Sequence, residues 1–345
     1  MSLAAIIMPY HNLANRTLEC LASLQKRTHY ADTWLILVDN GSEPEQGSLV
    51  DEYLLKGYGM TWTHLRLAEN GGWVGGCIAG YECATSDAEM QPEWIVLLNN
   101  DTILSSGWLT RMITALRDNV RYGVMGCVSV GGRGWQRLDQ LQERGWIEAS
   151  IPTPRSPKEL ERLGFLLRSY HGFQVHNVGS MVAFFCAVLR REMLDQIGFL
   201  DERIGMGAGD DDDLCRRARE RGWKIGLALD VPIWHYHHQT FNQLYAGRQE
   251  PPSGVTPMKE LVYLGGRSRP YIMGVPARDL DSTDLMQLAS TGFDRETLLH
   301  SGLYAETSEL EVHPFCGVQT ESGEPCQRPV DAWGDHCWQH LEETE

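Results

Sequence analysis

Apolar runs of strand length alternate with amphipathic segments over the first part of the chain. The first four runs are LAAIIMPYHN, WLILVDNGS, TWTHLRLAENGGWVGG and EWIVLLNNDT, and helical patterns follow through Leu18, Leu21 and Leu24, around residues 79–83 and over about residues 107–116. Strands separated by helices at this spacing are typical of a parallel sheet that is covered on both faces. The pattern therefore predicts an α/β fold with a mostly parallel sheet.

Polar residues stand at the carboxyl end of each of these predicted strands. They are His11 and Asn12, Asp39 and Asn40, Asn70 with its glycines, and residues 99–101. Each group alone is consistent with an ordinary turn, since Asn, Asp and Gly are the usual turn residues. Ligands of open α/β sheets bind at the carboxyl ends of the strands. Together the four groups therefore predict a single active cleft at this edge.

The third predicted strand ends in a glycine-rich turn. Its glycines, Gly71, Gly72, Gly75, Gly76 and Gly80, do not reproduce the GxGxxG spacing of a dinucleotide-binding fold, and they follow the third strand instead of the first. Such a turn offers a backbone that can come close to a flat or phosphorylated ligand.

Three later apolar runs, YGVMGCVSV, GSMVAFFCAVLRRE and WKIGLALDVPIWHYHH, predict further strands. The sequence between Val120 and Val178 is otherwise irregular. Its stretches GGRGWQRLDQLQERGW and IPTPRSPKELERLGFLLRSYHGF predict an insertion over the cleft, where such segments often shape an acceptor site. A tolerated surface loop is the alternative interpretation.

Four consecutive aspartates, Asp210 to Asp213, stand at the first turn of an amphipathic helical pattern that continues through Leu214 and Ala218. The positive end of a helix favours negative charge, so capping alone is one interpretation. Because capping needs only one or two carboxylates, a cation or a proton-transfer task is the other. Three histidines follow further along, His235, His237 and His238, and they are candidates for metal ligation or phosphate contact.

The net charge limits the partners of this chain. The 345 residues include 46 acidic and 30 basic side chains, giving a formal net charge of −16. This charge works against non-specific attraction to nucleic-acid backbones or anionic membranes, so an anionic ligand must be met locally by a metal or by backbone donors.

The longest apolar run, Met181 to Leu189, is far too short to span a membrane, and the chain shows no basic region before its first apolar strand. Six of the nine cysteines are scattered without pairing rhythm, which suits a reducing compartment, and a cytoplasmic location is expected.

The C-terminal region predicts two further segments. Residues 242–311 lack strong periodicity and predict a linker or a segment that wraps the catalytic domain, and residues 312–345 predict a small zinc-binding module. The candidate zinc ligands are Cys316, Cys326, Cys337 and His340. Three thiolates and an imidazole form a closed tetrahedral set, which is typical of structural zinc; unpaired tail thiols are the alternative.

This tail resembles short Cys-Cys-Cys-His modules of some nucleic-acid-associated proteins, over about 25 residues. Arg328 is its sole Lys or Arg against four acidic residues, which disfavours contact with a phosphate backbone. Trp333 and Trp338 could stack on a base or a sugar. A miniature domain that folds around zinc is the simpler interpretation, because so few residues cannot form a core.

Taken in order, the motifs PYHN, VDNGS, ENGGWVGG, LLNNDT, GFLDE, GDDDDLCRRARERG and PIWHYHH resemble the family 2 glycosyltransferases, closest to their rhamnosyl- and galactofuranosyl-transferase-like branch. The resemblance covers about residues 4–240. It implies a GT-A fold, with a Rossmann-like sheet and helices on both faces, over residues 1–241. It also implies a nucleotide-sugar pocket, formed by Pro9, Tyr10, Asp39, Asn70, Gly72, Asn100 and Asp101.

The same resemblance implies the metal ligands and the catalytic base. Asp101 takes the last position of the family's DxD motif, Asn99 takes the first, and His235 matches a histidine of the galactofuranosyl-type enzymes. The acidic signature aligns Asp211 with the catalytic base and places Asp210 where a glutamate is usual. Ile78 replaces a common asparagine after the glycine turn, which bears on nucleotide preference.

The predicted activity is an inverting, metal-dependent hexosyl or pentosyl transfer from a nucleoside-diphosphate sugar, best a UDP-sugar, to an acceptor hydroxyl. The acceptor is a glycan, a protein or a modified DNA base, and Mg²⁺ or Mn²⁺ is the expected donor-site metal. A sugar nucleotidyltransferase would need a Lys- or Arg-rich triphosphate loop, which PYHN lacks. A non-catalytic glycan- or nucleic-acid-binding protein is the other alternative; the presence of Asp101 and of the acidic turn favours the enzyme.

Overall fold

A computed structural model describes residues 3–28, 32–132, 134–204 and 209–236 of the chain. The predicted linker, the predicted zinc ligands, His237 and His238 lie outside these residues. The domain boundaries proposed for the C-terminal region therefore stay predictions.

The described residues form nine strands and eight α-helices. The strands are β1 (Ala4–Tyr10), β2 (Thr33–Asn40), β3 (Thr61–Leu67), β4 (Trp94–Leu98), β5 (Thr102–Ile103), β6 (Tyr122–Gly131), β7 (Val175–Val178), β8 (Cys186–Arg190) and β9 (Lys224–His235). The helices are α1 (Ala14–Arg27), α2 (Pro44–Leu55), α3 (Gly72–Ser86), α4 (Trp108–Asp118), α5 (Leu138–Glu143), α6 (Leu160–His171), α7 (Arg191–Ile197) and α8 (Asp210–Glu220).

All nine strands belong to one sheet, in the order β3-β2-β1-β4-β8-β6-β9-β5, with β7 paired to β9. The pairs β2–β3, β1–β2, β1–β4 and β6–β9 are parallel, whereas β4–β8, β6–β8, β5–β9 and β7–β9 are antiparallel. The sheet is therefore mixed: β1 to β4, β6 and β9 run in one direction, in line with the predicted mostly parallel arrangement, and the predicted direction fails for β5, β7 and β8, which run the opposite way. The difference arises because β8 enters next to β4 from the opposite direction, after the long segment that follows β6.

Helices cover both faces of this sheet, as predicted. On β1 every residue is buried, with Ile6 and Met8 packed towards one layer and Ala5 and Ile7 towards the other. One layer contains α1, α2 and α4, and the other contains α3 and α5 to α8. Because β1 is buried on both faces, both of its faces require apolar side chains, and its sequence is accordingly an uninterrupted apolar run.

Two glycines of α3 explain part of the glycine-rich stretch. A Cβ on Gly80 would lie 2.4 Å from Ile7 Cγ2, and a Cβ on Gly76 would lie 2.8 Å from Pro9 Cβ. These residues therefore let α3 lie close against β1. The close packing carries the first turn of α3 to the carboxyl end of the strand.

The irregular segment after β6 is folded into the domain. It supplies α5 and α6, which bury leucines in the core, and β7, which adds an antiparallel strand beside β9. Glu161 on α6 also pairs with Arg27 of α1 at 2.9 Å. The segment thus extends the sheet and one helical layer, and the surface-loop interpretation does not describe it.

The six cysteines of the described residues are free thiols, and all but Cys83 are buried. Burial raises the pKa of Cys20 to about 12 and raises that of Cys77 and Cys127 well above the ordinary range. Buried protonated thiols are unreactive and serve as core residues. No helix in the described ranges is both long enough and apolar enough to cross a bilayer.

Candidate active site

Strand pairing brings the predicted polar clusters to one edge of the sheet. The parallel pairs β1–β2 and β1–β4 set the carboxyl ends of three strands side by side. The carboxyl ends of β6 and β9 meet where Gly131 pairs with His235. Strand β5 connects these two sets of strand ends, because it follows β4 in the chain and its Thr102 pairs with His235 of β9. The predicted convergence of the clusters on one edge of the sheet is therefore observed, and their role as a single active cleft stays a prediction.

The candidate metal ligands Asn99, Asp101 and His235 lie together at this edge. His235 Nε2 is 3.2 Å from Asp101 Oδ1 and 3.2 Å from the amide nitrogen of Asn99. A protonated Nε2 donates to the carboxylate and faces another donor, whereas an unprotonated Nε2 accepts from the amide and faces an anionic oxygen. With the Asn99 amide in this orientation, a single imidazole tautomer therefore does not satisfy both neighbours, and rotation of the amide by 180° turns its oxygen towards Nε2.

Burial holds this group of side chains in place. Asp101 is 6% exposed and His235 is 7% exposed, and the ring of Phe185 stacks on the imidazole at a centroid distance of 4.8 Å. The backbone N–H of Tyr236 also donates to the carbonyl oxygen of Asp101 at 3.0 Å. The Asp101–His235 pair is thus a rigid, nearly dry element of the cleft.

Asn100 has a different environment from its two neighbours. Its side-chain N–H donates to Thr17 Oγ1 on α1 at 3.0 Å, in a buried contact. This hydrogen bond fastens the loop after β4 to the first turns of α1. The role predicted for Asn100 in the nucleotide pocket stays a prediction, and its amide nitrogen already has a partner inside the fold.

The predicted nucleotide residues Tyr10 and Asp39 lie at adjacent strand ends and are both buried. Tyr10 Oη is 3.1 Å from His64 Nε2, and His64 Nδ1 is 2.7 Å from Asp51 Oδ1, so the hydroxyl donates when the histidine donates to Asp51. Asp39 Oδ1 accepts the backbone N–H of Ser42 at 2.9 Å. Burial, reinforced by the Asp39 charge, raises the pKa of Tyr10, and the phenol therefore remains a hydrogen-bond donor.

Asn40 is a site residue to which sequence reasoning assigned no role. Its side-chain N–H groups donate to Asn70 Oδ1 at 3.0 Å and to the carbonyl oxygen of Gly72 at 2.8 Å, and its Oδ1 accepts from the N–H of Gly71 at 3.0 Å. One amide thus holds the whole glycine turn. The available signal was an asparagine directly after Asp39 at a strand end, since only an amide side chain both donates and accepts in this way.

The four aspartates form the first turn of α8, after Gly209 in a left-handed conformation at φ 106°. Asp213 accepts from Arg216 at 2.8 Å and from Arg217 at 2.7 Å. Arg217 also donates to the carbonyl oxygens of Ile197 and Phe199. Arg217 therefore fastens α8 to the end of α7, and Asp213 orients this arginine while its carboxylate is paired with two arginines of its own helix.

Asp210 contacts α3, and Asp211 contacts the backbone of its own turn. Asp210 is 4% exposed, and its Oδ2 accepts the indole N–H of Trp73 at 2.9 Å. Asp211 keeps part of its surface accessible, and its Oδ1 accepts the N–H of Asp212 at 2.9 Å. Burial, followed by the charges of Asp210 and Asp212, raises the pKa of Asp211 well above its usual range. Such a carboxylate is a stronger base towards a hydroxyl.

The geometry accords with a family match. The family described as glycosyl transferase family 2 matches residues 5–198 of the chain. The match includes β1 to β8 and ends before α8, so the acidic turn is interpreted from its contacts and from the order of the motifs.

Among curated proteins, the chain resembles the uncharacterized protein y4gI of Sinorhizobium fredii (strain NBRC 101917 / NGR234). The two are 26% identical over 256 residues, which is 72% of this chain and 26% of that protein. The chain thus spans about a quarter of the length of this relative.

Among solved structures, the chain resembles the mannosyltransferase PcManGT from Pyrobaculum calidifontis in complex with GDP-Man and Mn²⁺. The TM-score is 0.50 at 16% identity, covering 88% of this chain and 69% of that one. GalNAc-T7 with UDP, GalNAc and Mn²⁺ gives 0.49 at 12% identity, covering 68% and 44%. TarS 1–349 of S. aureus gives 0.44 at 16% identity, covering 71% and 63%. At such identities the PcManGT likeness shows a shared fold and nothing more specific.

Proposed function

This chain belongs to glycosyl transferase family 2, and we propose that it is an inverting, metal-dependent glycosyltransferase. It moves a sugar from a nucleoside-diphosphate sugar to an acceptor hydroxyl, and a UDP-sugar is the expected donor. The observation that carries the proposal is the buried contact between Asp101 and His235 at the carboxyl edge of the sheet. The glycine turn at residues 70–72, which we call the donor turn, is held by Asn40 and lies at the same edge.

The donor nucleotide occupies the ends of β1 and β2 in this proposal. Pro9, Tyr10 and Asp39 contact the base and ribose, and Asn70 and Gly72 shape the turn against them. The support is that Tyr10 and Asp39 are held by internal hydrogen bonds, so a ligand meets a preformed surface. Ile78 lies partly exposed on α3 beyond this turn.

The side chains present fit a divalent metal. Asp101 and His235 would hold Mg²⁺ or Mn²⁺, with the amide oxygen of Asn99 as a further ligand, because a cation satisfies both the carboxylate and an unprotonated imidazole nitrogen. The described residues contain no group of three or more His, Cys, Asp or Glu side chains suited to a metal, so donor phosphates and water must supply the other ligands. When bound, the metal would neutralise the charge that develops on the leaving diphosphate.

Asp211 acts as the general base. Its carboxylate takes the proton of the acceptor hydroxyl while that oxygen forms a bond to the anomeric carbon. The bond from the anomeric carbon to the diphosphate oxygen breaks on the opposite side, and its electron pair leaves with the nucleoside diphosphate. A single displacement of this kind inverts the anomeric configuration. The acceptor is a glycan, a protein or a modified DNA base.

The first test of this function is a donor screen by thermal unfolding with UDP-, GDP- and dTDP-sugars, each with and without Mn²⁺. A ligand at about 100 times its dissociation constant stabilises the native state by about 2.7 kcal/mol. We expect one nucleotide to raise the melting temperature, and only when the metal is present. Mn²⁺ alone is the control for a metal effect on the fold. A chain that shows no shift with any donor contradicts the proposal and favours a non-catalytic binding protein.

We also propose that Cys316, Cys326, Cys337 and His340 hold a structural Zn²⁺, on the strength of their residue types and spacing. The purified full-length chain should then contain about one zinc per molecule by elemental analysis. Cys337→Ser should lose the zinc, whereas Cys83→Ser, at a partly exposed cysteine of α3, should retain it. Equal zinc contents in the two variants would contradict this set of ligands.

A further inference from the structure

We propose that Trp73 is a positioning residue that couples the donor turn to the catalytic end of α8. Its indole N–H donates to Asp210 Oδ2 at 2.9 Å, across 137 positions of sequence. Asp210 is 4% exposed and Trp73 is partly exposed, so this contact lies at the rim of the interior. The inference rests on the proposed role of Asp211, the next residue of the same turn.

On the donor side, Trp73 stands on a rigid support. It directly follows Gly72, whose carbonyl oxygen accepts a hydrogen bond from Asn40 and whose N–H donates to Asn70. The glycines of α3 allow this helix to lie against β1, one of the strands that forms the donor edge. The position of the indole is therefore determined by the same contacts that shape the donor turn.

On the other side, the first turn of α8 is held at two points. Asp213 and Arg217 fasten it to the backbone of residues 197–199. Asp210 fastens it to Trp73. Asp211 lies between these two anchored positions in the chain. Loss of the Trp73 contact therefore removes a link between this turn and the donor side and leaves the link to α7 in place.

The neutral indole N–H of Trp73 is also chemically suited to positioning this turn. Adjacent carboxylates repel one another, and Asp213 has its charge compensated by two arginines. Trp73 gives Asp210 a neutral N–H partner, so this contact itself adds no cation beside Asp211. A cation at this place would stabilise the ionised form of Asp211 and weaken it as a base. An indole fixes the position and leaves that basicity intact.

Trp73→Phe removes the N–H group and keeps an aromatic ring for packing. We expect kcat to fall on the order of tenfold, as for the loss of one hydrogen bond to a charged group, while the dissociation constant of the donor changes less than about threefold. Trp34→Phe is the matched control, because it removes an indole hydrogen bond to Thr63 Oγ1 of 3.0 Å at the start of β2. That variant should keep the wild-type kcat.

A double-mutant cycle with Asp210→Asn identifies the path of the effect, measured both on kcat and on the free energy of unfolding. If Trp73 acts through Asp210, then Trp73→Phe lowers kcat by less than about twofold in the Asp210→Asn background. Additive effects overturn the inference, as does a Trp73→Phe variant that loses donor affinity in proportion to its activity. The cycle on the free energy of unfolding measures the coupling between Trp73 and Asp210 without an assay of sugar transfer. Failure of the proposed activity and failure of this coupling are therefore separate results.

Discussion

Asp211→Asn should bind the nucleotide-sugar donor with near wild-type affinity and lose transfer by about 10²- to 10⁴-fold, the usual contribution of a positioned base. The substitution preserves the size of the side chain and removes its ability to take a proton. Donor affinity is measured by calorimetry with Mn²⁺, and transfer by release of the nucleoside diphosphate. The separation of binding from turnover is the expected signature, because the base is needed only when the acceptor attacks.

Asp212→Asn is the matched control, since it removes the same charge from the same turn of α8. It should keep transfer within about tenfold of the wild type, because the change reduces the charge that acts on Asp211 and leaves the proposed base in place. Near-normal transfer by Asp211→Asn would show that the base has been assigned to the wrong aspartate. Asp210→Asn would then be the next variant to assay, since arginines already pair with Asp213.

The raised pKa of Asp211 adds a stability effect to the same variant. Burial destabilises its ionised form in the native state, so the native protein binds this proton more tightly than the unfolded chain. Stability contributed by the protonated group is present at low pH and is lost as pH rises through the raised pKa. At neutral pH Asp211→Asn should therefore unfold at a higher temperature than the wild type. This gain should shrink as the pH falls towards the ordinary range of an aspartate.

Asp101→Ala should abolish the metal dependence of donor binding and weaken that binding on the order of 100-fold or more, since even outer partners of a metal site change affinity by about 10- to 100-fold. Asp101 supplies the only carboxylate of the Asn99, Asp101 and His235 group. The measurement is donor titration by calorimetry with and without Mn²⁺. Without the metal, the variant and the wild type should bind the donor equally weakly.

Two further variants separate charge from structure in this experiment. Asp101→Asn keeps the volume of the side chain and should lose the metal dependence to a similar degree. Asp195→Ala removes an aspartate that is 56% exposed in its ion pair with Arg191, and it should leave donor binding unchanged. Metal-dependent binding that survives Asp101→Ala would place the cation elsewhere.

The strands, the helices and the cleft edge were predictable because they depend on local patterns. β1 was recognised as a continuous apolar run, and the acidic first turn of α8 was placed correctly from the apolar spacing that follows it. The mixed sheet was not predictable, because an apolar run such as that of β8 carries no signal for the direction in which it pairs. The glycine-rich stretch was also ambiguous, since Gly71 and Gly72 lie in the turn whereas Gly76 and Gly80 allow close packing of α3 against β1.

The sequence by itself determined which chemical groups this protein carries and the order in which they follow the strands. It therefore determined the family resemblance, the candidate Asp101 and His235 pair and the acidic turn. Only the tertiary structure decided the partner of each group: Asn40 with the glycine turn, Asn100 with Thr17, Asp213 with two arginines and Asp210 with Trp73. These contacts join residues that are far apart in the chain, and their partners depend on strand pairing and helix packing that no local pattern encodes.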